Sequence, residues 1–421
     1  MVKLGYKQTE IGIIPEDWDI VELKEAFPKL EAGVSVNSDS TLFSDYYVLK
    51  TSAVHDGRID CDEAKPVIAR DYNRLKCPLV PGSIVFSRMN TPQLVGECGY
   101  VKEVNNGTFL PDRLWLIRNP VGSEFDFEWL NYLLNTRRYR DAVRATATGT
   151  SNSMKNISKD RLLEIFIPKP KIDEQKRIAE ALSDIDALIN NLEELVAKKK
   201  AIKQGAMQEL LTGKKRLPGF DGRWIAGKWK DVLEGFSSGA TPYRGNSSFY
   251  NGTIKWVSSG ELNYNRIFDT IEHISQNAQI KANLSMHPAG TFLMAITGLE
   301  AAGTRGSCAI LGSPATTNQS CMAIYGTKRM STEYLFHYYV YHGDELAFQY
   351  CQGTKQQSYT AAIVKELPIY YPEDVREQNA IASLLTDMDN EIEELKQKLD
   401  KYRLVKQGMM QQLLTGKIRL V

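Results

Sequence analysis

The sequence predicts an α+β fold in which two mixed α/β domains are separated by two long antiparallel coiled-coil helices. A 15-residue stretch occurs twice, because residues 203–217 and 406–420 are identical at 12 of 15 positions. The copies lie 203 residues apart (406 − 203) in a chain of 421, which indicates two homologous halves and not a solenoid of short repeats. Helical periodicity covers both copies, whereas the segments before them differ in composition.

Four segments follow from this repeat. We predict a first domain over residues 1–165 and a central helical segment over 166–217. A second domain follows over 218–367, and a C-terminal helical segment over 368–421.

The ends of the chain resemble the link between its halves. Ile-Pro-Glu-Asp-Trp at 14–18 resembles the run from Leu217 to Trp224, and the sequence stops at Val421, where such a link would begin again. The repeat is therefore circular. This predicts neighbouring termini and a pseudo-twofold axis.

Each domain is predicted to combine short strands with one regular helix. Apolar runs bounded by turn residues, as at 79–86 and 290–296, are typical of strands. Helical stretches are expected at 127–144 and 332–350. Outside a few shared landmarks the two domains differ almost everywhere, which indicates one shared partner for the helices and two different targets for the domains.

Each helical segment carries a heptad seam. Apolar residues recur with 4-3-4-3 spacing over 178–210 and 381–413. Three lysines interrupt the seams: Lys199, Lys203 and Lys406. Gly213 and Gly416 are expected to end the helices, and a helix over 173–211 spans about 58 Å at 1.5 Å per residue. Two such helices bury their apolar stripes most simply against each other.

Composition excludes several classes of protein. The chain has 52 basic and 51 acidic residues, so a DNA-binding protein of this balance must concentrate its positive charge locally. Six cysteines without a CxxC pair are typical of reduced thiols in a cytosolic protein. We expect no signal peptide and no membrane span, because no run approaches about 20 apolar residues. The predicted location is cytoplasmic.

Motifs of catalysis are not found in the sequence. Its five histidines form no HxH or HxxxH pair, so we predict no metal site. Gly213-Lys214 and Gly416-Lys417 follow a helix, whereas a phosphate loop precedes one. Neither a dinucleotide-binding glycine loop nor the Asn/Asp-Pro-Pro-aromatic tetrapeptide of amino-methyltransferases occurs. The sequence predicts a non-catalytic reader or scaffold that binds no cofactor itself.

The order of motifs resembles that of the specificity subunit of type I restriction-modification systems. Ile-Pro-x-x-Trp is followed by a variable domain, by Ile-Pro-Lys-Pro at 167–170 and by Glu-Gln-Lys-Arg-Ile-Ala at 174–179. A long helix then closes with Leu-Leu-Thr-Gly-Lys at 210–214, and the order repeats across essentially the whole chain. The second copy departs slightly, with Leu-Pro-Ile-Tyr-Tyr-Pro at 367–372 and one extra residue before Glu377.

The resemblance implies a function and a set of partners. It implies two target-recognition domains that each read one half of a bipartite site in double-stranded DNA, with the helices setting the spacing. It implies that two modification subunits dock on the helices and carry S-adenosylmethionine for adenine methylation. It further implies restriction subunits that use ATP and Mg for translocation and cleavage.

A recognition domain needs side chains that contact base edges and cations that contact phosphates. In the first domain the candidates are Arg70, Arg74, Ser87, Arg88, Asn90, Arg113, Thr148, Thr150, Ser151, Asn152 and Lys155. In the second domain they are Thr241, Tyr243, Arg244, Asn246, Thr297, Arg305, Lys355, Gln356 and Gln357. The Gly-Thr loops at Gly149 and Gly353 are favoured, because they occupy the same place in both halves. For any single arginine, a surface ion pair is an equally good interpretation.

Two alternatives stay open at the level of sequence. A coiled-coil adaptor that organises protein partners without DNA contact explains the helices, but not the diverged polar domains. A fused nuclease or methyltransferase is disfavoured by the missing motifs. If DNA is the target, a pseudo-twofold pair of readers predicts half-site centres about one turn of DNA, or roughly 10 bp, apart.

Overall fold

A computed structural model describes residues 4–105, 107–149, 154–299, 305–352 and 357–421. The chain forms two compact units. The first unit contains Met1–Leu192 together with Lys398–Val421, and the second contains Glu193–Gln397. The first unit is thus built from both ends of the chain, as the circular repeat predicts. The boundaries between the units fall inside both long helices, because each unit includes part of each helix.

The first unit is a mixed α/β structure. Its strands are Tyr6–Thr9, Gly12–Pro15, Asp19–Glu22, Glu31–Ala32, Tyr47–Leu49, Val54–His55, Gly57–Ile59, Ala64–Pro66, Ile84–Ser87, Met89–Asn90, Cys98–Tyr100, Thr108–Phe109, Leu114–Ile117, Ala147–Thr148, Lys155–Ile157 and Phe166–Lys169. Its shorter helices are Leu23–Ala26, Phe127–Leu134, Arg137–Ala145 and Lys159–Leu163, with 3-10 turns at Thr51–Ala53 and Ala69–Arg74. The largest sheet has the strand order 31–32, 114–117, 84–87, 98–100, 57–59 and 54–55.

The central strand of this sheet, Ile84–Ser87, lies within the apolar run that predicted it and is buried along its whole length. The helix expected at 127–144 is two helices, which is a correction to the prediction. Asn135 and Thr136 separate them: the Asn135 side chain bonds the Asn131 carbonyl at 2.9 Å, and the Thr136 hydroxyl bonds the Leu133 carbonyl at 2.8 Å. Such local side-chain bonds compete with continued helical pairing.

The second unit repeats this plan with different residues. Its strands are Trp224–Lys228, Leu233–Ser238, Ile254–Val257, Asn265–Ile267, Glu272–Ile274, Phe292–Ala295, Cys308–Leu311, Thr316–Thr317, Cys321–Gly326 and Pro368–Pro372. Its shorter helices are Trp229–Val232, Gln276–Lys281, Thr332–Tyr350 and Ala361–Glu366, with 3-10 turns at Ser247–Tyr250 and Ser259–Glu261. The main sheet has the strand order 233–238, 321–326, 292–295, 308–311 and 265–267. The helix predicted at 332–350 is confirmed.

The two long helices are Ile172–Leu210 and Val375–Leu413, each of 39 residues. Gly213 and Gly416 follow them with φ of 71° and 69°, the left-handed conformation that ends a helix at glycine. In the first unit, Leu182 near the start of one helix shares a core with Leu413 at the end of the other. In the second unit, Leu385 and Leu210 do the same. Within each unit the helices therefore run antiparallel, as predicted.

The lysines that interrupt the heptad seams are paired with acids of the facing helix. In the first unit Lys406 Nζ lies 2.7 Å from Asp186 Oδ1. In the second unit Lys203 Nζ lies 2.5 Å from Asp389 Oδ1, and a third pair joins Lys199 to Glu391 at 2.6 Å. Polar pairs within a coiled coil fix its register at some cost in stability. The interruptions are thus part of the helix pairing in each unit.

Candidate nucleic-acid interface

A buried glutamine anchors each long helix to the globular part of its own unit. Gln175 is fully buried, and its Oε1 accepts a hydrogen bond from the Asp126 amide at 2.9 Å. Its Nε2 donates to the carbonyls of Glu124 at 3.0 Å and Pro170 at 2.8 Å. These bonds tie the start of the long helix to the segment that begins the helix Phe127–Leu134. Both the oxygen and the nitrogen of the side-chain amide are thus hydrogen-bonded to the backbone.

The second unit contains the same anchor. Gln378 accepts from the Ser331 amide at 2.9 Å and donates to the carbonyls of Arg329 at 2.8 Å and Pro372 at 2.9 Å. Ser331 immediately precedes the helix Thr332–Tyr350. Each glutamine therefore holds its long helix in a defined position against the globular helix of its unit.

The neighbouring glutamate joins the two chain ends in the first unit. Glu174 is buried, accepts from Trp18 Nε1 at 2.9 Å and binds Arg419 through two contacts of 2.7 and 2.9 Å. Arg419 also holds Asp17 at 2.8 Å, and these two carboxylates raise the pKa of Arg419 while the arginine lowers the pKa of Asp17. Tyr6 adds a bond from its hydroxyl to the Gly416 carbonyl at 3.0 Å. The predicted proximity of the termini is confirmed.

In the second unit the corresponding carboxylate binds an arginine of the continuous link between the halves, not one near a chain end. Glu377 is buried and takes a bidentate pair from Arg216 at 2.5 and 2.6 Å. The hydrogen bonds that Arg216 donates to Glu377 raise the pKa of Arg216, whose guanidinium also lies 5.9 Å from the ring centroid of Trp224. Arg216 and Trp224 belong to the link between the halves, as Arg419 and Trp18 belong to the two ends.

These anchors position a polar edge in the first unit. We call it the first rim and define it as residues 87–90, 111–113, 147–149 and 154–157. The rim is a three-stranded sheet in which Lys155–Ile157 lies between Met89–Asn90 and Ala147–Thr148. Asn90 pairs with Lys155, and Thr148 with Asn156. The Arg113 carbonyl accepts from the Arg88 amide at 3.1 Å and closes the edge.

Polar side chains of the first rim are partly fixed by one another. Asn90 Nδ2 donates to Ser87 Oγ at 3.2 Å, and Lys155 Nζ donates to the Gly149 carbonyl at 2.6 Å. The Arg88 guanidinium lies 5.5 Å from the ring centroid of Trp115. Two polar atoms are buried here with no hydrogen-bond partner among the described residues, Arg88 Nε and Asn156 Oδ1. An unpaired buried donor and acceptor are costly unless a ligand or water pairs with them.

The second unit carries the corresponding edge, the second rim, which we define as residues 296–299, 305, 318–320, 352 and 357–359. Thr297 and Gln352 both form β-bridges with Ser358. The Ile296 amide donates to the Ser320 carbonyl at 2.9 Å, as Arg88 does to Arg113. Gln357 Oε1 is buried with no hydrogen-bond partner within the described part of the chain. Each rim therefore joins three parts of its unit: the end of the central strand, the segment before the strand 114–117 or 321–326 that pairs with it, and the segment before the last short helix.

Arg305 closes the second rim. Its Nε donates to the Leu299 carbonyl at 3.0 Å, and its guanidinium lies 5.5 Å from the Phe348 ring centroid. Tyr264 donates its hydroxyl proton to the Arg305 carbonyl at 3.0 Å. The structure thus brings together Thr297, Arg305 and Gln357, three candidates taken from distant parts of the sequence.

The other candidates lie apart from the rims or take part in local contacts. Arg70 is exposed on the 3-10 turn Ala69–Arg74, where Arg74 pairs with Asp71 at 3.0 Å. Arg244 forms a bidentate pair with Glu272 at 2.5 and 2.8 Å, and this bond raises the pKa of Arg244. Its guanidinium also stacks 4.4 Å from the Tyr250 ring centroid.

The remaining candidates are of two kinds. Tyr243 is 75% exposed, and Asn246 Oδ1 accepts from the Ser248 amide at 3.2 Å to begin a 3-10 turn. Five candidates lie outside the described residues: Thr150, Ser151, Asn152, Lys355 and Gln356. DNA contact by any of these residues stays a prediction.

Gln319 is a rim residue that sequence reasoning missed. It is exposed in the segment before the strand Cys321–Gly326, and its Oε1 accepts a hydrogen bond from the Thr241 hydroxyl. Thr241 is thereby connected to the second rim. The signal for Gln319 in the sequence was its position. It lies just before the strand Cys321–Gly326, as Asp112 lies just before the strand Leu114–Ile117.

The structure also bears on other classes of site. Among the described residues, no group of three or more His, Cys, Asp or Glu side chains is arranged to hold a metal ion. Burial raises the pKa of Cys77 to about 11 and that of Cys98 to about 12, so these thiols are poor nucleophiles. In the same described ranges, no helix has the length and apolar character needed to span a membrane.

Comparison with known proteins gives one family. The family described as type I restriction modification DNA specificity domain matches residues 15–204 and 223–401. A putative type I restriction enzyme specificity subunit, MjaX, from Methanocaldococcus jannaschii is 28% identical over 209 residues, 49% of this chain and 48% of the relative. The MjaVIII specificity subunit of the same organism is 30% identical over 219 residues, 51% of this chain and 50% of the relative. The chain thus spans about half the length of the curated relatives it matches.

Solved structures show the same fold. The type I restriction-modification S subunit of M. genitalium superposes with a TM-score of 0.62 at 15% identity and covers 94% of this chain and 96% of that one. A chain from a study of complex assembly and conformational transition of the type I restriction-modification system gives a TM-score of 0.52 at 15% identity, covering 96% and 99%. The α+β architecture with paired long helices is therefore shared with structures from this system.

Proposed function

Since the chain belongs to the type I restriction modification DNA specificity domain family, we propose that it is the subunit that reads DNA sequence for a type I restriction-modification enzyme. Each unit reads one half of a bipartite site in double-stranded DNA. The chain contributes no catalytic group of its own. Family membership also disfavours the coiled-coil adaptor that the sequence alone left open.

The observation that carries this proposal is the correspondence of the two rims. Both occupy the same topological position, yet their side chains differ. The pair Met89 and Asn156 in the first unit stands where the second has Thr297 and Ser358, and Lys155 stands where the second has Gln357. Corresponding positions with different hydrogen-bonding groups are what two readers of different half-sites require. Arg88 Nε and Gln357 Oε1 add a buried donor and a buried acceptor that lack protein partners among the described residues.

Charge is consistent with local phosphate contact. The whole chain has a net charge of +1, so affinity for DNA must come from cations at the rims and not from the overall field. In the first rim Arg113 is exposed and Lys155 is half-buried. Arg305 supplies a guanidinium to the second rim.

The partners follow from the same proposal. Two modification subunits dock on the long helices, whose outer faces are polar, and they carry the S-adenosylmethionine for adenine methylation. Restriction subunits bring ATP and Mg. The near-identical copies of the helix end, 203–217 and 406–420, are suited to two identical partners.

Methylation mapping tests the proposal. The full chain is expressed with its modification subunit, and methylated adenines are located by single-molecule sequencing for the wild type, Arg113→Ala and Gln319→Ala. We expect Arg113→Ala to relax or weaken one half-site and Gln319→Ala the other, with a loss of about 1–3 kcal/mol for each base contact removed.

A matched control is Lys159→Ala, which removes an exposed cation outside the rims. It should leave both half-sites unchanged. Binding of mixed duplexes should weaken steeply with salt. Salt-independent binding would contradict phosphate contact. Variants that alter both half-sites equally would contradict the assignment of one rim to each half-site.

A further inference from the structure

A groove in the first unit lies outside the rims. It has a volume of about 850 Å³ and is bounded by three elements: the N-terminal hairpin Tyr6–Pro15, the helix Arg137–Ala145 and the last turns of the helix Val375–Leu413. We call it the hairpin groove. A cylinder 10 Å wide and two helical turns long occupies about the same volume, so the groove has room for a short amphipathic helix.

The hairpin that forms one wall occurs in only one half of the repeat. Tyr6–Thr9 pairs with Gly12–Pro15, and the strand ends just before Trp18. In the second half the link to Trp224 matches only residues 14–18, so residues 6–13 have no counterpart. The hairpin is fixed by the Arg138 guanidinium, which donates to the Ile11 carbonyl, and by the bond from Tyr6 to Gly416. The groove is therefore a built feature of the first unit.

The groove is cationic. Its lining contains five cations and one acid, Asp141. The cations are Arg137, Arg138, Arg140, Arg144 and Lys417. Arg140 is partly neutralised by Asp56 at 3.2 Å and Glu97 at 3.4 Å, and Arg144 by Glu97 at 2.9 Å. Arg137 is 97% exposed with only a 3.8 Å contact to Asp141, and the exposed Lys417 makes no ion pair with any described residue.

The groove is also apolar between these cations. Ile13 is 51% exposed in the wall, and Leu133, Met410 and Leu414 line the interior. Phosphates gain nothing from aliphatic contacts, so this lining is poorly suited to the DNA backbone. An amphipathic helix with acidic and aliphatic side chains satisfies both parts of the lining.

We propose that the hairpin groove binds an acidic amphipathic helix of one modification subunit. The inference rests on the proposed function, and it adds that the two partners are held unequally. One partner gains the contacts of the hairpin and the arginine-rich helix. The corresponding helix of the second unit, Thr332–Tyr350, contains no arginine and carries the acids Asp344 and Glu345, and residues 6–13 have no counterpart in that unit.

Native mass spectrometry of the full chain titrated with its modification subunit tests this proposal. The variant Ile13→Asp/Arg137→Glu changes two exposed groove side chains and should preserve folding. We expect wild type to reach a complex with two modification subunits, with one site at least tenfold tighter than the other. In the variant the tighter site should weaken at least tenfold and the other should not change. Arg137→Glu alone should reduce the salt dependence of the tighter site.

A matched control is Ile280→Asp/Lys159→Glu, which places one Ile→Asp change and one cation→Glu change on exposed positions away from the groove. It should bind like wild type. Unchanged stoichiometry and affinities in the groove variant would overturn the proposal, as would equal weakening of both sites. A variant that keeps both partners but loses DNA affinity would assign the groove to DNA, and loss of a self-associated species would assign it to a second copy.

Failure of the proposed function has a different signature from failure of the groove proposal. In that case the wild-type chain itself binds neither the modification subunit nor DNA in a sequence-dependent way. If wild type behaves as proposed but the groove variant binds its partners like wild type, only the groove proposal is rejected.

Discussion

Replacement of Gln175 by alanine should destabilise the first unit and leave the second unit intact. The change removes three hydrogen bonds, one to the buried Pro170 carbonyl and two to the partly buried Asp126 amide and Glu124 carbonyl. An unsatisfied buried backbone group costs about 2 kcal/mol, and a partly solvated one about 1 kcal/mol. The expected loss in free energy of unfolding is therefore about 4 kcal/mol, a large part of the stability of a typical domain.

Urea unfolding of the full chain measures the size of this effect, and amide hydrogen exchange locates it. Gln175→Ala should expose the Asp126 amide, whereas Gln378→Ala should expose the Ser331 amide. Gln204→Ala, at an exposed position of the same long helix, is the control and should change stability by less than about 0.5 kcal/mol. A loss below about 1 kcal/mol, or faster exchange at Ser331 in Gln175→Ala, would refute the anchor.

Three further predictions concern pH, the chain ends and the helices. Burial lowers the pKa of His337 to about 3, so the folded second unit binds no proton there while the unfolded chain titrates near 6.5. Between pH 7 and pH 5 this site should lower the stability measured by urea unfolding by about 2 kcal/mol, and His337→Gln should reduce the pH dependence by that amount. Arg419→Gln removes the cation that pairs with the buried Glu174 and should cost the first unit about 3–5 kcal/mol in urea unfolding at pH 7; a loss below about 1 kcal/mol would contradict this explanation. Addition of two turns within 192–203, with two turns added at the corresponding place of the second long helix, should change the length of the DNA gap between the half-sites in methylation maps. Altered half-site bases with the same gap would contradict a role of the helices in spacing.

Much of the fold was predictable because its strongest signals are local. Heptad spacing predicted both long helices, and the glycines that end them lie where the sequence placed them. The helix expected at 127–144 is the exception. The stretch contains no Pro or Gly at the break, but the side chains of Asn135 and Thr136 bond the backbone there, which a periodicity argument does not detect.

The candidate site was predictable only in part. Asn90 and Lys155 are 65 positions apart (155 − 90), and they become neighbours through one strand pairing. Gln319 was missed because its importance depends on the Thr241 hydroxyl and on the position of the strand that follows it. For Arg244 the sequence left a DNA contact and a surface ion pair equally open, and the structure pairs it with Glu272, a residue 28 positions away.

The sequence by itself determined the two-half organisation, the long helices, their termination and the family, since identity between repeats and helical periodicity are read along the chain. Only the tertiary structure decided what the repeated Glu-Gln pair does. Glu174 joins the chain ends through Arg419, and Gln175 fastens the helix to the globular part of its unit. These contacts, and the rims they support, depend on residues brought together across 49 to 245 positions, and no local pattern encodes such pairings.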